Sequence, residues 1–438
     1  MRLLADEVSD LYGQPVALTH GWLPLTVQVS AAAVLLWAIG WRTRRWRMLW
    51  LPSAAVFGVA VAIVADWYVD DEGLSGNAAP WSMWCWIGLT GLALAVLLLG
   101  WSSACWWRRG GALVAVLLCL CSAAIALNTW VGYLPTVQTA WHQLTEGPLP
   151  RQLDMAKVRE LQESHEIPVE GVVAPVSVPS TASGFKHREE LVYLPPAWFA
   201  TNPPPPLPAV VMIGAEFQNP TDWIRIGNAA DTADTFAADH GGNAPVLVFA
   251  DTSGSFSNDT ECVNGPRGNA ADHITKDLVP FVNSNFGTRA AAGAWGVVGF
   301  SMGGTCAITL AVMHPELFGT VVDIAGDLAP NAGNKQESVD RLFGGNADAY
   351  DAFDPTTVMR NHGRYTDSSA WFASPAGETG PANALCKAGR ASGLECSVTQ
   401  LPGKHDWPFA AGAFAAGLPW LAGVLDTPGT RPAPFPRT

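Results

Sequence analysis

The sequence predicts a protein in two parts: a bundle of four membrane-spanning helices, followed by an α/β domain with a mostly parallel central sheet and helices on both faces. Three observations predict it. Apolar residues crowd roughly the first 135 positions in four runs of bilayer length. Beyond them, short apolar runs alternate with helical patterns, which argues for a parallel sheet covered on both sides. One of those runs, Trp295-Gly296-Val297-Val298-Gly299-Phe300, leads through Ser301, Met302 and Gly303 into apolar residues at helical spacing.

Composition sets the outer bounds. Of 438 residues, 49% are hydrophobic and 14% charged, with 20 Trp. That is too apolar for one ordinary soluble domain. The net charge of −13 argues against a nucleic-acid partner, since phosphate binding needs a basic face. There is no zinc-type Cys/His spacing and no G-x-x-x-x-G-K-[ST] loop, so no metal and no cofactor is expected.

The four apolar runs cover residues 22–41, 48–67, 81–101 and 111–133, with Trp and Tyr at their ends as interfacial anchors. They define a transmembrane anchor over 1–135. Arg42, Arg44, Arg45 and Arg47 lie between the first two runs, and Arg108 and Arg109 between the last two. The intervening loop is acidic, with Asp66, Asp70, Asp71 and Glu72. The positive-inside rule then puts both Arg loops in the cytoplasm and the large C-terminal domain outside a multi-pass cell membrane. Asp6, Glu7 and Asp10 in the leader argue against a cleaved signal peptide. The runs hold almost no ionisable residue at mid-depth, which favours an anchor over a transporter. Cys85, Cys105, Cys119 and Cys121 read as small apolar packers.

Residues 136–169 read as a linker, in which 153–163 form a short amphipathic helix on the membrane surface. Strands are expected at 171–178 and 190–194, joined by a turn at 181–186 with Gly184. A stiff polyproline piece, Pro203 to Pro206, precedes a strand at 209–213. Further strands follow at 246–250, 296–298, 321–324, 370–373 and 396–400, with helices near 231–239 and 272–283 and from Met302 onward. The folded domain spans 170–425, and a Pro-rich disordered tail covers 426–438.

The chemistry centres on Ser301. In the G-x-S-x-G pattern the serine sits on a strained strand-to-helix turn, flanked by glycines that let strand and helix approach closely. A hydroxyl is a poor nucleophile at neutral pH and needs a base. His405 follows a predicted strand and precedes an apolar helix, which is where an α/β-hydrolase places its His. His314 reads as a helix cap and His362 is the rival. Glu378, after the strand at 369–373, is placed to orient the imidazole. Asp367 lies at the wrong end of that strand, Asp354 reads as a helix cap, and Asp406 points elsewhere. An oxyanion needs two N–H donors: Met302, after the nucleophile, and Ala215, in the loop after strand 209–213. Glu216 is the neighbouring alternative to Ala215. Trp407 and Phe217 are candidates to line the acyl site, and either equally fits the core.

Gly299-Phe300-Ser301-Met302-Gly303-Gly304, His314-Pro315-Glu316 and His405-Asp406-Trp407 resemble the putative-esterase family of α/β-hydrolases, which includes esterase D-like enzymes and bacterial mycolyltransferases. The resemblance covers most of residues 170–425, and Arg267-Gly268-Asn269 adds to it. The membrane-anchored arrangement resembles actinobacterial members. The resemblance implies a Ser, an acid and a His as catalytic residues, which map onto Ser301, Glu378 and His405. Two departures stand out: the stretch from Glu378 to His405 is short, and the loop at Gly214 lacks the usual His-Gly or Asp-Gly. Outside the membrane, disulfides persist. Cys386 and Cys396 are the favoured pair, and Cys262 with Cys306 is the second candidate.

Together these readings describe a membrane-anchored serine esterase or acyltransferase acting on carboxylic esters, among them envelope lipids or acylated sugars, through an acyl-enzyme. Its partners are the lipid bilayer and an ester or acyl-lipid substrate. The alternative is a catalytically silent anchored binding protein that keeps the fold.

Overall fold

The computed structural model describes residues 16–71, 79–145, 149–217, 219–255 and 257–437. The leader acids Asp6, Glu7 and Asp10, and Glu72, lie outside the described residues. The chain divides into two compact units, Met1–Glu146 and Gly147–Thr438.

Among the described residues, the first unit holds four long apolar helices: α1 (Trp22–Ile39), α2 (Leu51–Asp71), α3 (Trp81–Gly100) and α4 (Trp106–Val131). A π-helical turn, Trp46–Trp50, leads into α2. All four are long and apolar enough to cross a membrane. Their boundaries differ from those of the apolar runs, because backbone caps end a helix whereas hydropathy only marks its apolar stretch. Gly40, at φ 54°, stops α1 before Trp41. Gly132 caps α4 in the left-handed conformation, and the helix starts early enough to take in Arg108 and Arg109. The helices meet along small residues, with Ala31, Ala38, Ala93, Ala112, Ala115 and Cys119 packed in one cluster. Small side chains let apolar helices approach closely. Cys119 is the one buried free cysteine among the described residues; Cys85, Cys105 and Cys121 are exposed. A short helix, α5 (Val137–Leu144), ends the unit.

The second unit begins with α6 (Met155–Ser164), then β1 (Val172–Val176), β2 (Glu190–Leu194), β3 (Ala209–Ile213), α7 (Ala229–Asp239) and β4 (Val246–Phe249). There follow α8 (Val279–Phe286), β5 (Trp295–Phe300), α9 (Met302–Met313), β6 (Phe318–Ile324), α10 (Lys335–Phe343) and α11 (Pro355–His362). The unit closes with β7 (Ser369–Pro375), α12 (Gly380–Ala391), β8 (Glu395–Leu401) and α13 (Trp407–Val424). The eight strands form one sheet in the order β1-β2-β4-β3-β5-β6-β7-β8. β2 pairs antiparallel with β1 and β4, and every later pairing is parallel. This is the α/β-hydrolase architecture.

Alternation along the strands sends side chains to opposite faces. Val211 and Val297 join the core cluster that holds α9. Gly296 faces the other way, toward Leu421 and Leu425 at the end of α13. The sheet is therefore covered on both faces. α13 is also apolar and long enough to cross a membrane, yet 61% of it is buried in this unit, against 11–39% for the first-unit helices. Its apolar surface is spent on the sheet.

Two expectations are corrected here. The apolar stripe of the 153–163 helix packs on the sheet of its own unit. α6 buries Val158 and Leu161 in the core beside Val172, Ala174 and Val176. The segment before it bonds to β1, with Leu153 N–H donating to Val173 O at 2.9 Å and Val173 N–H to Arg151 O at 3.2 Å. An edge strand needs such a cover. The tail is also ordered: Phe435 stacks on Trp420 with ring centroids 4.8 Å apart, and Thr399 Oγ1 donates to Pro436 O at 2.8 Å. Proline fixes φ, so ordering this segment costs little entropy.

Candidate active site

In the parallel part of the sheet the strands end on one edge, where open α/β sheets place their sites. At the end of β5, Ser301 adopts φ 57° and ψ −121°. Such a conformation costs a non-glycine residue on the order of 1–3 kcal/mol, so the surroundings must impose it. They do so from both sides. Ser301 N–H donates to Ile324 O at 2.8 Å, and Ser301 C=O accepts from Gly304 N–H at 2.8 Å and Thr305 N–H at 3.1 Å. A Cβ at position 299 would fall 1.7 Å from Gly303 O, and one at 303 would fall 2.2 Å from Gly214 O. Only glycine fits at either place. The second contact also shows that the loop after β3 lies against the first turn of α9.

The loop after β8 brings His405 to the same point. Its Nε2 lies 2.9 Å from Ser301 Oγ, and its Nδ1 lies 2.9 Å from Glu378 Oε2. With the ring proton on Nδ1, His405 donates to Glu378 and accepts from Ser301. Glu378 sits in the turn after β7, where its N–H donates to Pro375 O at 3.2 Å. β7 and β8 are adjacent and parallel, joined by the single crossover helix α12. One helix and one strand fill the interval between Glu378 and His405, which accounts for its shortness. The His405 side chain is 28% exposed and that of Glu378 44%, so the relay opens to solvent.

The rivals are placed elsewhere. His314 ends α9 and bonds Glu316 at 3.1 Å. His362 stacks on Tyr365 with centroids 4.4 Å apart. Asp354 caps α11 by accepting from Thr356 N–H at 3.0 Å, and Asp406 caps α13 by accepting from Phe409 N–H at 3.0 Å.

Met302 opens α9, where a helical N–H has no carbonyl of its own helix to bond. Ala215 lies half-buried on the loop that touches Gly303. Phe217, on the same loop, has φ 59° and is half-buried. Trp407 requires a correction. It is 2% exposed and packs edge-on to Trp223 (centroids 5.2 Å) and Phe300 (5.4 Å), which places it in the core. An aromatic beside a loop His reads alike in sequence whether it turns in or out.

The sequence reading missed an acidic group around this edge. Burial pushes Glu216 up to about 8, with Asp259 and Asp327 adding and Arg267 opposing. Burial and then Asp259 hold Glu261 well above the usual carboxylate range. Asp323, at the end of β6, is pushed up to about 7 by burial, against a 2.8 Å bond from Gly326 N–H. These residues are scattered in sequence, so no spacing signals them. A disulfide, Cys262–Cys306, ties the segment after β4 to α9, and Cys386–Cys396 ties α12 to β8.

The model of the Putative esterase family matches residues 186–416, a span that includes Ser301, Glu378 and His405. The chain belongs to this family. Membership of the Putative esterase family makes it a carboxylic ester hydrolase or acyltransferase. It is 27% identical over 421 residues to an uncharacterized protein of Corynebacterium glutamicum, a match covering 91% of this chain and 94% of that one. Among solved structures it is similar to an S-formylglutathione hydrolase from Agrobacterium tumefaciens (18% identity, 59% of this chain and 97% of that one, TM-score 0.49). It is also similar to MPT51 of Mycobacterium tuberculosis (19% identity, 57% and 99%, TM-score 0.39).

Proposed function

We propose that this family member is a membrane-anchored, extracytoplasmic serine esterase or acyltransferase, with Ser301 as nucleophile, His405 as base and Glu378 as the orienting acid. The observation that carries the reading is the continuous relay, 2.9 Å from Glu378 to His405 and 2.9 Å from His405 to Ser301. Ser301 Oγ attacks the ester carbonyl while His405 Nε2 takes its proton. Glu378 stabilises the resulting imidazolium. The N–H groups of Met302 and Ala215 receive the developing oxyanion, at the positive end of α9. The tetrahedral intermediate collapses, His405 returns the proton to the leaving alkoxide, and an acyl-enzyme remains. Water or a sugar hydroxyl then accepts the acyl group by the same steps in reverse.

Helices α1 to α4 anchor the enzyme in the bilayer, and the Arg clusters at 42–47 and 108–109 set the second unit outside. That location supports envelope lipids or acylated sugars as substrates. The test is to assay the detergent-solubilised full chain on a series of acyl esters, with and without acceptor sugars, and to profile envelope lipids of cells carrying wild type or Ser301→Ala. Ester turnover and a lipid change that both require Ser301 are expected. Folded protein with no turnover on any ester and no lipid change would leave a silent anchored protein.

A further inference from the structure

The start of β2 carries an ionic cluster that the triad does not use. Glu190 and His273 are fully buried, and the His187 side chain is 11% exposed. Glu190 Oε1 accepts from Asp251 N–H at 2.9 Å and lies 3.1 Å from His273 Nε2. Glu190 Oε2 makes no hydrogen bond and faces His187 Nδ1 at 3.8 Å. His273 Nδ1 also makes none and faces Asp277 Oδ2 at 3.7 Å. One ligating atom from each of His187, Glu190 and His273 lies within 4.8 Å of the other two.

Charge makes the cluster harder to dismiss. The side chains of Glu190, Asp251 and Asp277 are 0%, 1% and 3% exposed. One guanidinium, Arg188, pairs with Asp251 at 2.7 Å. Glu190 and Asp277 have no such partner: Glu190 accepts one backbone N–H and faces both imidazoles, and Asp277 faces His273 and accepts from Ala182 N–H at 2.8 Å and Ser183 N–H at 3.0 Å. Buried charge of this kind is either paired or bound to a metal.

We propose that His187, Glu190 and His273 form a three-ligand site for one divalent transition-metal ion, with a water in the fourth position and zinc the best match to two imidazoles and a carboxylate. The ligands would be His187 Nδ1, His273 Nε2 and a Glu190 oxygen. Two of the three already have the outer hydrogen bond that orients a ligating group, and the third, His273, has a carboxylate 3.7 Å from its other ring nitrogen. His187 Nε2 lies 2.8 Å from Val178 O, His273 Nδ1 faces Asp277, and Glu190 accepts from Asp251 N–H. Binding exchanges the 2.7 Å contact of His187 Nδ1 with Arg188 O for the metal bond. It also tilts apart the two rings, which stack with centroids 4.3 Å apart. The site lies at β2, three strands from β5, or about 14 Å from the nucleophile's strand at the usual spacing. The ion therefore clamps the 178–187 loop, β2 and the π-helical segment His273–Leu278 together and takes no part in the reaction. His187 and His273 are far apart in sequence, which is why no ligand spacing reveals them.

The experiment uses the full chain in detergent, without a polyhistidine tag, after chelator treatment. Metal content is measured after incubation with Zn²⁺, thermal unfolding is followed against Zn²⁺ concentration, and the Co²⁺ form is examined for visible d–d bands. One equivalent of zinc per chain, a midpoint that rises with Zn²⁺ and a four-coordinate Co²⁺ spectrum are expected. Glu190→Gln and His273→Gln should each weaken zinc binding by about 100-fold or more, beyond the effect of losing an outer hydrogen bond. Fluorophosphonate labelling of Ser301 reports folding of each variant separately. A wild-type chain that labels normally but binds no zinc or cobalt and shows no shift in midpoint overturns the proposal. So does stoichiometric zinc retained by both variants, which would put the ion elsewhere.

Discussion

Ser301 is held in a conformation it would not choose, and that strain aims its hydroxyl at His405. His405→Ala is expected to lower kcat/KM by about 10⁴-fold or more, and Glu378→Gln by about 10²- to 10⁴-fold, with unchanged thermal unfolding. Steady-state kinetics on an activated ester check both, and near-normal rates in His405→Ala would remove the base assignment. Glu216 gives a pH prediction. Its folded-state value near 8 lies above that of an ordinary carboxylate, so the native state holds a proton that the unfolded chain releases. Its contribution to stability is complete below about pH 4, declines as pH rises toward 8 and is gone above that. Thermal unfolding of Glu216→Gln should fall less steeply than wild type across this window; parallel curves would contradict the shift. The residues that the structure brings together at 301, 378 and 405 were legible because strand–turn–helix context and chain order constrain them. Trp407 was not, because nothing local says which way a side chain turns.

At the scale of elements, the strands were legible from their apolar runs, and their ends were off by only a few residues. The helices between β6 and β7 were not placed, being short and polar. A signal for α10 was present: Asn334 and Glu337 form a capping box at its start. The packing of α6 was hidden because an amphipathic stripe fits a sheet as well as a membrane surface. The disulfides differ in what they constrain. Cys262–Cys306 spans 44 residues and Cys386–Cys396 spans 10, which corresponds to about 4 and about 3 kcal/mol of loop-closure stabilisation. Denaturant unfolding of the paired Cys→Ser variants should rank them in that order. Loss of Cys262–Cys306 should also depress activity, since Cys306 lies on α9, whereas equal effects on activity would argue against a role for that tie.

For the whole molecule, the division into apolar bundle and α/β unit was plain from the uneven hydrophobicity, and the sheet order needed the structure. The fifth apolar helix shows the limit of hydropathy: α13 is as long as a span yet covers the sheet. Protease added to intact cells is expected to cleave the second unit while the bundle stays protected, as fragment sizes on a blot would show. A fully protected chain would reverse the orientation. The central claim, that a hydroxyl activated by His405 does the chemistry, is met most directly by mass mapping of a fluorophosphonate adduct on the full chain. The account predicts one adduct, on Ser301, absent in Ser301→Ala and strongly reduced in His405→Ala. Folded wild-type protein with no adduct, or an adduct on another residue, would contradict it.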